Sequence, residues 1–469
     1  MSFDPLYASA HELLDLYRRR EVSPVEVVRA QLSRADAVDD KIGAFIERMD
    51  GAALAAAAES ERRYRDGDAL PLDGITVAAK EKHAIAGHRI TEGSLAWDGW
   101  VPTENHPIID RLLAAGAVIH ARTATPEFSI ATYTHTRKWG ITRNPWHLDS
   151  SPGGSSGGAG AALAAGLTTL ATASDIGGST RGPAAFTGTV GYKAPYGRIP
   201  GQGATSLDYY RGDGPLARTV DDALLMTNVI SGQHRCDQAS LPKVTVHAGR
   251  PVKGMRIAFS PDLDAFAVDP EVAANTRRVI DDLAAAGADV QEVRIGWDID
   301  ELRAGIIAHF AQMMAASVAH AVGDRIDLMS DYAQEYVRMT TVGRQHLSMF
   351  DAVRNEYAIQ QALGATMVGF DALVCPTTAA VGFPAGDTMI DGITIDDKIV
   401  NWSEGLLTLP FNVNNRCPVL AVPSGFAANG MPTGVQLVGH PYDDDTVFSL
   451  GAELERRRGA LFSEAVPAL

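Results

Sequence analysis

The sequence is short of several things, and each shortage excludes a class of function. Its three cysteines, Cys236, Cys375 and Cys417, lie far apart with no C-x-x-C pair. Such spacing builds neither a disulfide framework nor a zinc site, and a reducing, cytoplasmic setting suits it best. Cations are outnumbered: 41 Lys and Arg stand against 57 Asp and Glu, a formal charge of −16. Nucleic-acid binding needs clustered cations to neutralise phosphates, so no direct nucleic-acid partner is expected. Residues 1–5 lack the basic start and apolar run of a secretory signal. A membrane span takes about 20 strongly apolar residues. The longest weakly polar stretch, 157–173, is mostly Ala and Gly broken by Thr, so no membrane partner is expected and the stretch reads as a buried helix.

Motif absences narrow the field further. A phosphate cradle ends in Gly-Lys, and that dipeptide occurs nowhere in the chain. A dinucleotide loop needs a third glycine, whereas Gly158-Ala159-Gly160 leads to Leu163. His11-Glu12 has no second histidine at metal-ligating spacing. No cofactor and no metal are expected.

What is present is an ordinary globular balance, 46% hydrophobic and 21% charged, which excludes disorder and provides a core. Residues 1–70 read as two helices packed on that core. Ser9 to Glu12 and Ser23 to Glu26 each have the spacing of a capping box, the second with Pro24 at the first helical position. From residue 72 strands and helices alternate. Strands are expected at 74–79, 117–120, 255–259, 289–293, 372–375, 418–422 and 434–438. Helices are expected at 108–115, after Thr219, and at 269–286. This alternation predicts an α/β sandwich around a mixed sheet. Segment 300–368 is helical by pattern and carries Met313, Met314, Met329, Met339, Met349 and Met367. It reads as core packing or as a pliable pocket wall.

The most unusual stretch holds two Gly/Ser clusters, Gly153 to Gly158 and Asp175 to Arg181. Gly153 to Gly157 matches G-x-S-x-G, but nothing downstream marks the acid and histidine that a nucleophile elbow needs. In the second cluster, Ile176-Gly177-Gly178-Ser179 sets a hydroxyl beside backbone N–H groups that could face an oxyanion. An ordinary tight turn explains the same residues.

Ser151-Pro152-Gly153-Gly154-Ser155-Ser156-Gly157-Gly158, the Asp175 to Arg181 run and Gly191-Tyr192-Lys193-Ala194-Pro195 together resemble the amidase signature family. Asn144-Pro145-Trp146, the run Gly214 to Val220 and the run Met431 to Leu437 match as well. The likeness extends over about residues 5–455. It implies one large α/β/α sandwich around a mixed, mostly parallel central sheet, with 71–469 as core and 300–368 building the substrate pocket.

Residue by residue, the resemblance makes Ser179 the nucleophile, Ser155 the bridging serine after a cis peptide, and Lys80 the base. Ile176, Gly177, Gly178 and Ser179 supply the oxyanion N–H candidates, and the Ser129 backbone lines the substrate site. Asp175 and Arg181 hold the loop. A base needs its lone pair, yet at an ordinary pKa of about 10.4 only about one lysine in 2,500 is neutral at pH 7. Lys80 must therefore be desolvated, and its place at the end of an apolar strand agrees. His83 follows three residues later; its charged neighbours Glu81 and Lys82 suggest a solvated edge, so it is taken as structural. The expected activity is hydrolysis of a small-molecule amide, with esters, carbamates and hydrazides open to the same triad. The alternative is the A component of a glutamyl-tRNA(Gln) amidotransferase. Glu127-Phe128-Ser129-Ile130-Ala131-Thr132 departs from the Ala- and Met-bearing text of those proteins, and no obvious clamp for a glutamine carboxylate is present. A catalytically silent binding homologue is disfavoured, because all three triad residues are retained. A homodimer is expected, since dimers are common in the family.

Overall fold

The strands assemble into a single eleven-stranded sheet in the computed structural model, which describes residues 4–346 and 348–469. Residues 1–3, part of the leader reading, lie outside the described residues. From one edge the first strands run Phe45–Arg48, Val118–Thr123, Thr76–Lys80, Leu170–Asp175, Gly212–Ala217 and Val190–Lys193. Val419–Phe426, Pro432–Gly439, Ala372–Pro376, Arg256–Phe259 and Asp289–Glu292 complete it.

The sheet is mixed, as expected, but it is not mostly parallel. Four neighbouring pairs are parallel and six antiparallel. The reason lies in the connections. Parallel neighbours need a long crossover, whereas Val419–Phe426 and Pro432–Gly439 are joined by five residues and can pair only as a hairpin. Strand Gly212–Ala217 likewise returns antiparallel beside both Val190–Lys193 and Leu170–Asp175.

Alternate side chains enter separate cores, the period-two signature of a sheet covered on both faces. Ala372, Val374, Val422 and Leu437 pack with Leu13, Ile108, Met226 and Phe448. Their neighbours Leu373, Cys375, Val419 and Val438 pack with Ile306, Tyr336 and Phe411 on the other side. On the same face as the second core lies a patch of small residues, Ala78, Ala171, Ala173 and Ala421, against Ala159 and Ala184 of two short helices, Gly157–Ala164 and Arg181–Thr187. Small side chains let these helices approach the sheet closely. Each of the two Gly/Ser clusters leads into one of them.

Residues 1–70 hold a third helix, Asp50–Asp66, and contribute the edge strand Phe45–Arg48. The third helix carries no capping signature in the sequence, because its N-cap, Met49, makes no side-chain hydrogen bond. Ser23 forms its capping box with Glu26, whereas at Ser9 only the hydroxyl's own bond to the Glu12 N–H is made. The 157–173 stretch is helical only over Gly157–Ala164; Gly166 turns the chain at φ +73 and the remainder forms strand Leu170–Asp175.

Segment 300–368 is helical, over Ile299–Gln312, Met314–Val322, Asp331–His346 and Met349–Thr366. Ile299–Val322 is apolar and long enough to cross a membrane by composition alone. It breaks at Met313, and Leu302, Ile306, His309 and Ala311 are buried in the protein core. Both readings of the methionines hold in part. Met329 and Met367 are core residues, whereas Met313, Met314 and Met339 line cavities.

Candidate active site

Strand Thr76–Lys80 lies beside Leu170–Asp175 in parallel, so residues at the ends of both strands share one edge of the sheet. At that edge the Lys80 amine, with no exposed surface, bonds three serine hydroxyls: Ser155 Oγ at 2.8 Å, Ser156 Oγ at 2.9 Å and Ser174 Oγ at 3.0 Å. Burial pushes its pKa well below the ordinary lysine value, and the Lys82 cation adds to this. Asp213 and Glu92 oppose the shift without reversing it.

Both Gly/Ser loops converge on this amine. The Gly154–Ser155 peptide is cis. The Ser156 N–H donates to the Ser179 carbonyl at 3.0 Å, which ties one loop to the other. Ser155 and Ser179 face the same cavity, although among the described residues no hydrogen bond closes the step between their hydroxyls.

Asp175 organises the second loop. Its carboxylate accepts the N–H groups of Gly178 (2.8 Å), Thr180 (3.2 Å) and Arg181 (3.4 Å). It also takes Arg181 Nε at 3.0 Å, Arg181 Nη2 at 2.9 Å and Asn412 Nδ2 at 2.9 Å. Burial alone would raise the pKa of Asp175, but Arg181 and Asn412 outweigh it and hold the group below the usual carboxylate range. The remaining Arg181 donors reach Thr408 O, Gln436 Oε1 and Asn412 Oδ1. Neither charge is a surface group; both are fully buried.

This arrangement corrects one expected role. The Gly178 N–H is already committed to Asp175, so it is not an oxyanion donor; the N–H groups of Ile176, Gly177 and Ser179 remain as candidates. Gly178 still has to be glycine. Its φ is +119, and a Cβ there would stand 1.9 Å from Thr408 Oγ1.

Two cavities meet at Ser179, Ser129, Ile176 and Met314. One, about 150 Å³, is apolar and walled by Leu302, Ile306, Phe310, Trp402 and Leu409. Its cation, Arg303, is engaged by Glu404 and by Asp300 at 3.2 Å. The other, about 170 Å³, carries the charged side chains Lys82, Glu92, Asp208 and Arg211. Ser129 reaches both through a backbone held at φ +60, following Phe128 at φ +51.

Sequence reasoning missed Ser156, Ser174 and Thr172. Ser156 was visible as the next hydroxyl of its cluster, while Thr172 and Ser174 share a strand face at period-two spacing. It also placed His83 wrongly. His83 and Glu81 are buried, Glu81 by accepting the Thr91 N–H and hydroxyl. Lys82 lines the second cavity rather than a solvated edge.

Comparison with known proteins agrees with the motifs. The family model described as Amidase matches residues 26–448. The A component of the glutamyl-tRNA(Gln) amidotransferase of Acidothermus cellulolyticus is 33% identical over 99% of this chain and 98% of its own length. The same-named protein of Mycobacterium tuberculosis is 34% identical over 95% of this chain and 96% of its own. Among solved structures, a bacterial aryl acylamidase of the amidase signature family superposes with a TM-score of 0.89 at 25% identity, covering 97% of each chain. A 6-aminohexanoate cyclic dimer hydrolase solved with substrate superposes at 0.84, with 26% identity over 98% of this chain and 99% of the other.

Proposed function

The chain belongs to the amidase family and is a hydrolase of carbon–nitrogen bonds, and from that premise we propose that it cleaves a small-molecule carboxamide through an acyl-enzyme on Ser179. The observation that carries this reading is the buried Lys80 amine, bonded at 2.8 Å to Ser155 beside the cavity that holds Ser179. Neutral Lys80 accepts the Ser155 proton as Ser155 takes that of Ser179, and the Ser179 oxygen attacks the acyl carbon. The N–H groups of Ile176, Gly177 and Ser179 receive the developing oxyanion; losing one such donor costs about 3 kcal/mol of barrier. The relay then runs backwards to protonate the leaving amine, and water releases the acid.

The apolar cavity supports an alkyl or aryl amide in preference to glutamine, because its cation is already paired. Esters, carbamates and hydrazides present the same acyl carbon. The second reading, the A component of an amidotransferase, is favoured by the curated relatives and by Lys82, a cation lining the second cavity and able to meet a carboxylate. Our proposal includes a cytoplasmic setting and a homodimer, the latter checked by light scattering.

The deciding assay uses the purified chain on aliphatic, aryl, aminoacyl and hydrazide substrates, with hydroxylamine to trap the acyl group. Ser179→Ala is expected to abolish turnover and trapping while unfolding at the wild-type temperature. Residual turnover near wild type removes Ser179 from the nucleophile role. Activity on glutamine alone, rising when the other amidotransferase components are added, decides for the amidotransferase.

A further inference from the structure

Strand Leu170–Asp175 presents Thr172 between the catalytic edge and a buried polar cluster that the proton relay does not use. The Lys80 main-chain N–H donates to Thr172 Oγ1 at 2.9 Å. On its other side Thr172 Oγ1 lies 2.8 Å from His83 Nδ1. His83 Nε2 in turn faces Asp213 Oδ1 at 3.5 Å. All four residues are buried.

Hydrogen-bond accounting gives this chain a direction. With the Lys80 N–H as donor, the Thr172 hydroxyl keeps its own proton, and the nearest acceptor is His83 Nδ1. The ring proton then sits on Nε2 and points at the carboxylate. The opposite tautomer would set a bare Nε2 lone pair against Asp213. His106 follows the same rule: its Nδ1 accepts the Ile108 N–H at 3.3 Å, leaving the ring proton on Nε2, which lies 3.8 Å from Asp213 Oδ2, beyond hydrogen-bond distance. Asp213 is itself fixed by Arg211, at 3.1 Å. Burial keeps both rings neutral by holding their pKa values below the ordinary histidine value.

We infer that His83 is a positioning residue for Lys80: held by Asp213, it orients the Thr172 hydroxyl that receives the Lys80 main-chain N–H and so aims the amine at its three serines. It touches neither substrate nor the reacting atoms. The inference rests on Lys80 being the base, and its test separates the two ideas.

Steady-state kinetics on the best amide substrate compare wild type with His83→Leu, His83→Asn, Thr172→Val and Lys80→Met, with folding checked by circular dichroism. Misplacing a reacting group by about 1 Å can cost on the order of a hundredfold. His83→Leu is therefore expected to lower kcat ten- to a hundredfold, with KM within about twofold of wild type. Asn offers Oδ1 where His83 offers Nδ1, so His83→Asn is expected to recover most of kcat, which a purely space-filling role would not allow. A folded His83→Leu with wild-type kcat, or a folded His83→Asn no better than Leu, overturns the inference. Should His83→Leu not fold, Thr172→Val decides: lowered kcat supports the chain and wild-type kcat overturns it. An active Lys80→Met instead brings down the base assignment on which the inference stands.

Discussion

At the scale of single residues the proposed chemistry turns on one proton at Lys80. In that proposal the neutral amine is the working form, and burial favours it by lowering the pKa. The expected sign for activity follows: if Lys80 is the base, kcat/KM should rise with pH as Lys80 loses its proton and fall tenfold per unit on the acid side of that titration. Lys80→Met should remove the acid limb and lower the rate by about 10²–10⁴, the usual worth of a positioned general base. Measuring kcat/KM from pH 5 to 9 for both proteins checks this. A variant that keeps both the limb and the rate would assign the titration to another group. Lys80, Ser155 and Ser179 were legible because the motifs place them, whereas Ser174 and the burial of His83 were not. Two charged neighbours argue for solvent in the sequence, and only tertiary partners, Thr91 for Glu81 and the cavity for Lys82, reverse that argument.

At the scale of elements the second Gly/Ser loop is a turn wound around a carboxylate. Asp175 ends one strand and accepts three main-chain donors of the loop, and Arg181 opens the next helix and pairs with it. The Asp-to-Arg spacing was readable, but the commitment of the Gly178 N–H was not. Which glycine of a Gly-Gly pair faces the substrate depends on backbone direction, which composition does not record. Removing one partner of a buried ion pair leaves an uncompensated charge and costs about 3–5 kcal/mol. Arg181→Met should lose about that much in urea unfolding, seen as a lower midpoint at unchanged slope. Adding Asp175→Asn should restore part of the stability by removing the stranded charge. It should not restore turnover, because a neutral amide cannot gather the same donors around the oxyanion loop. Full recovery of turnover in the double variant would mean that the loop is shaped by something other than this carboxylate. The mixed sheet teaches a similar lesson. Strand positions follow from apolar runs, but strand direction follows from connection length, and the hairpin at 427–431 outweighs the parallel expectation.

At the scale of the whole molecule the helical segment carries the apolar cavity wall, and a buried histidine fastens it to the turn that leads into strand Gly212–Ala217. His309 Nε2 lies 2.9 Å from Asp208 and Nδ1 2.9 Å from Glu356. The Tyr210 hydroxyl donates to Glu356 at 2.8 Å, Tyr209 donates to the same carboxylate, and the Tyr210 ring stacks on His309 at 3.8 Å. Burial disfavours a charged imidazole, but hydrogen bonds to Asp208 and Glu356 prevail and raise its pKa from 6.5 to about 9. Glu356 moves the other way, to below its ordinary value: burial opposes that shift and the bonds from His309 and the two tyrosines overcome it. A folded-state pKa above the unfolded one means that the stabilisation is fully present below about pH 6.5 and disappears as pH rises through about 9. The size is about 3 kcal/mol, from about 1.36 kcal/mol per pKa unit. Wild-type unfolding free energy should therefore fall by about that amount between pH 6.5 and 9.5, and His309→Gln should be less stable at pH 6.5 and lose this dependence. Phe310 follows His309 directly and lines the apolar cavity. A loosened helix should consequently raise KM for an apolar amide more than it lowers kcat, the reverse of the pattern expected at His83. Urea titrations at three pH values, with kinetics on the same preparations, measure both effects. A His309→Gln protein that keeps the wild-type pH slope would show that this ion pair is not what joins the pocket wall to that turn.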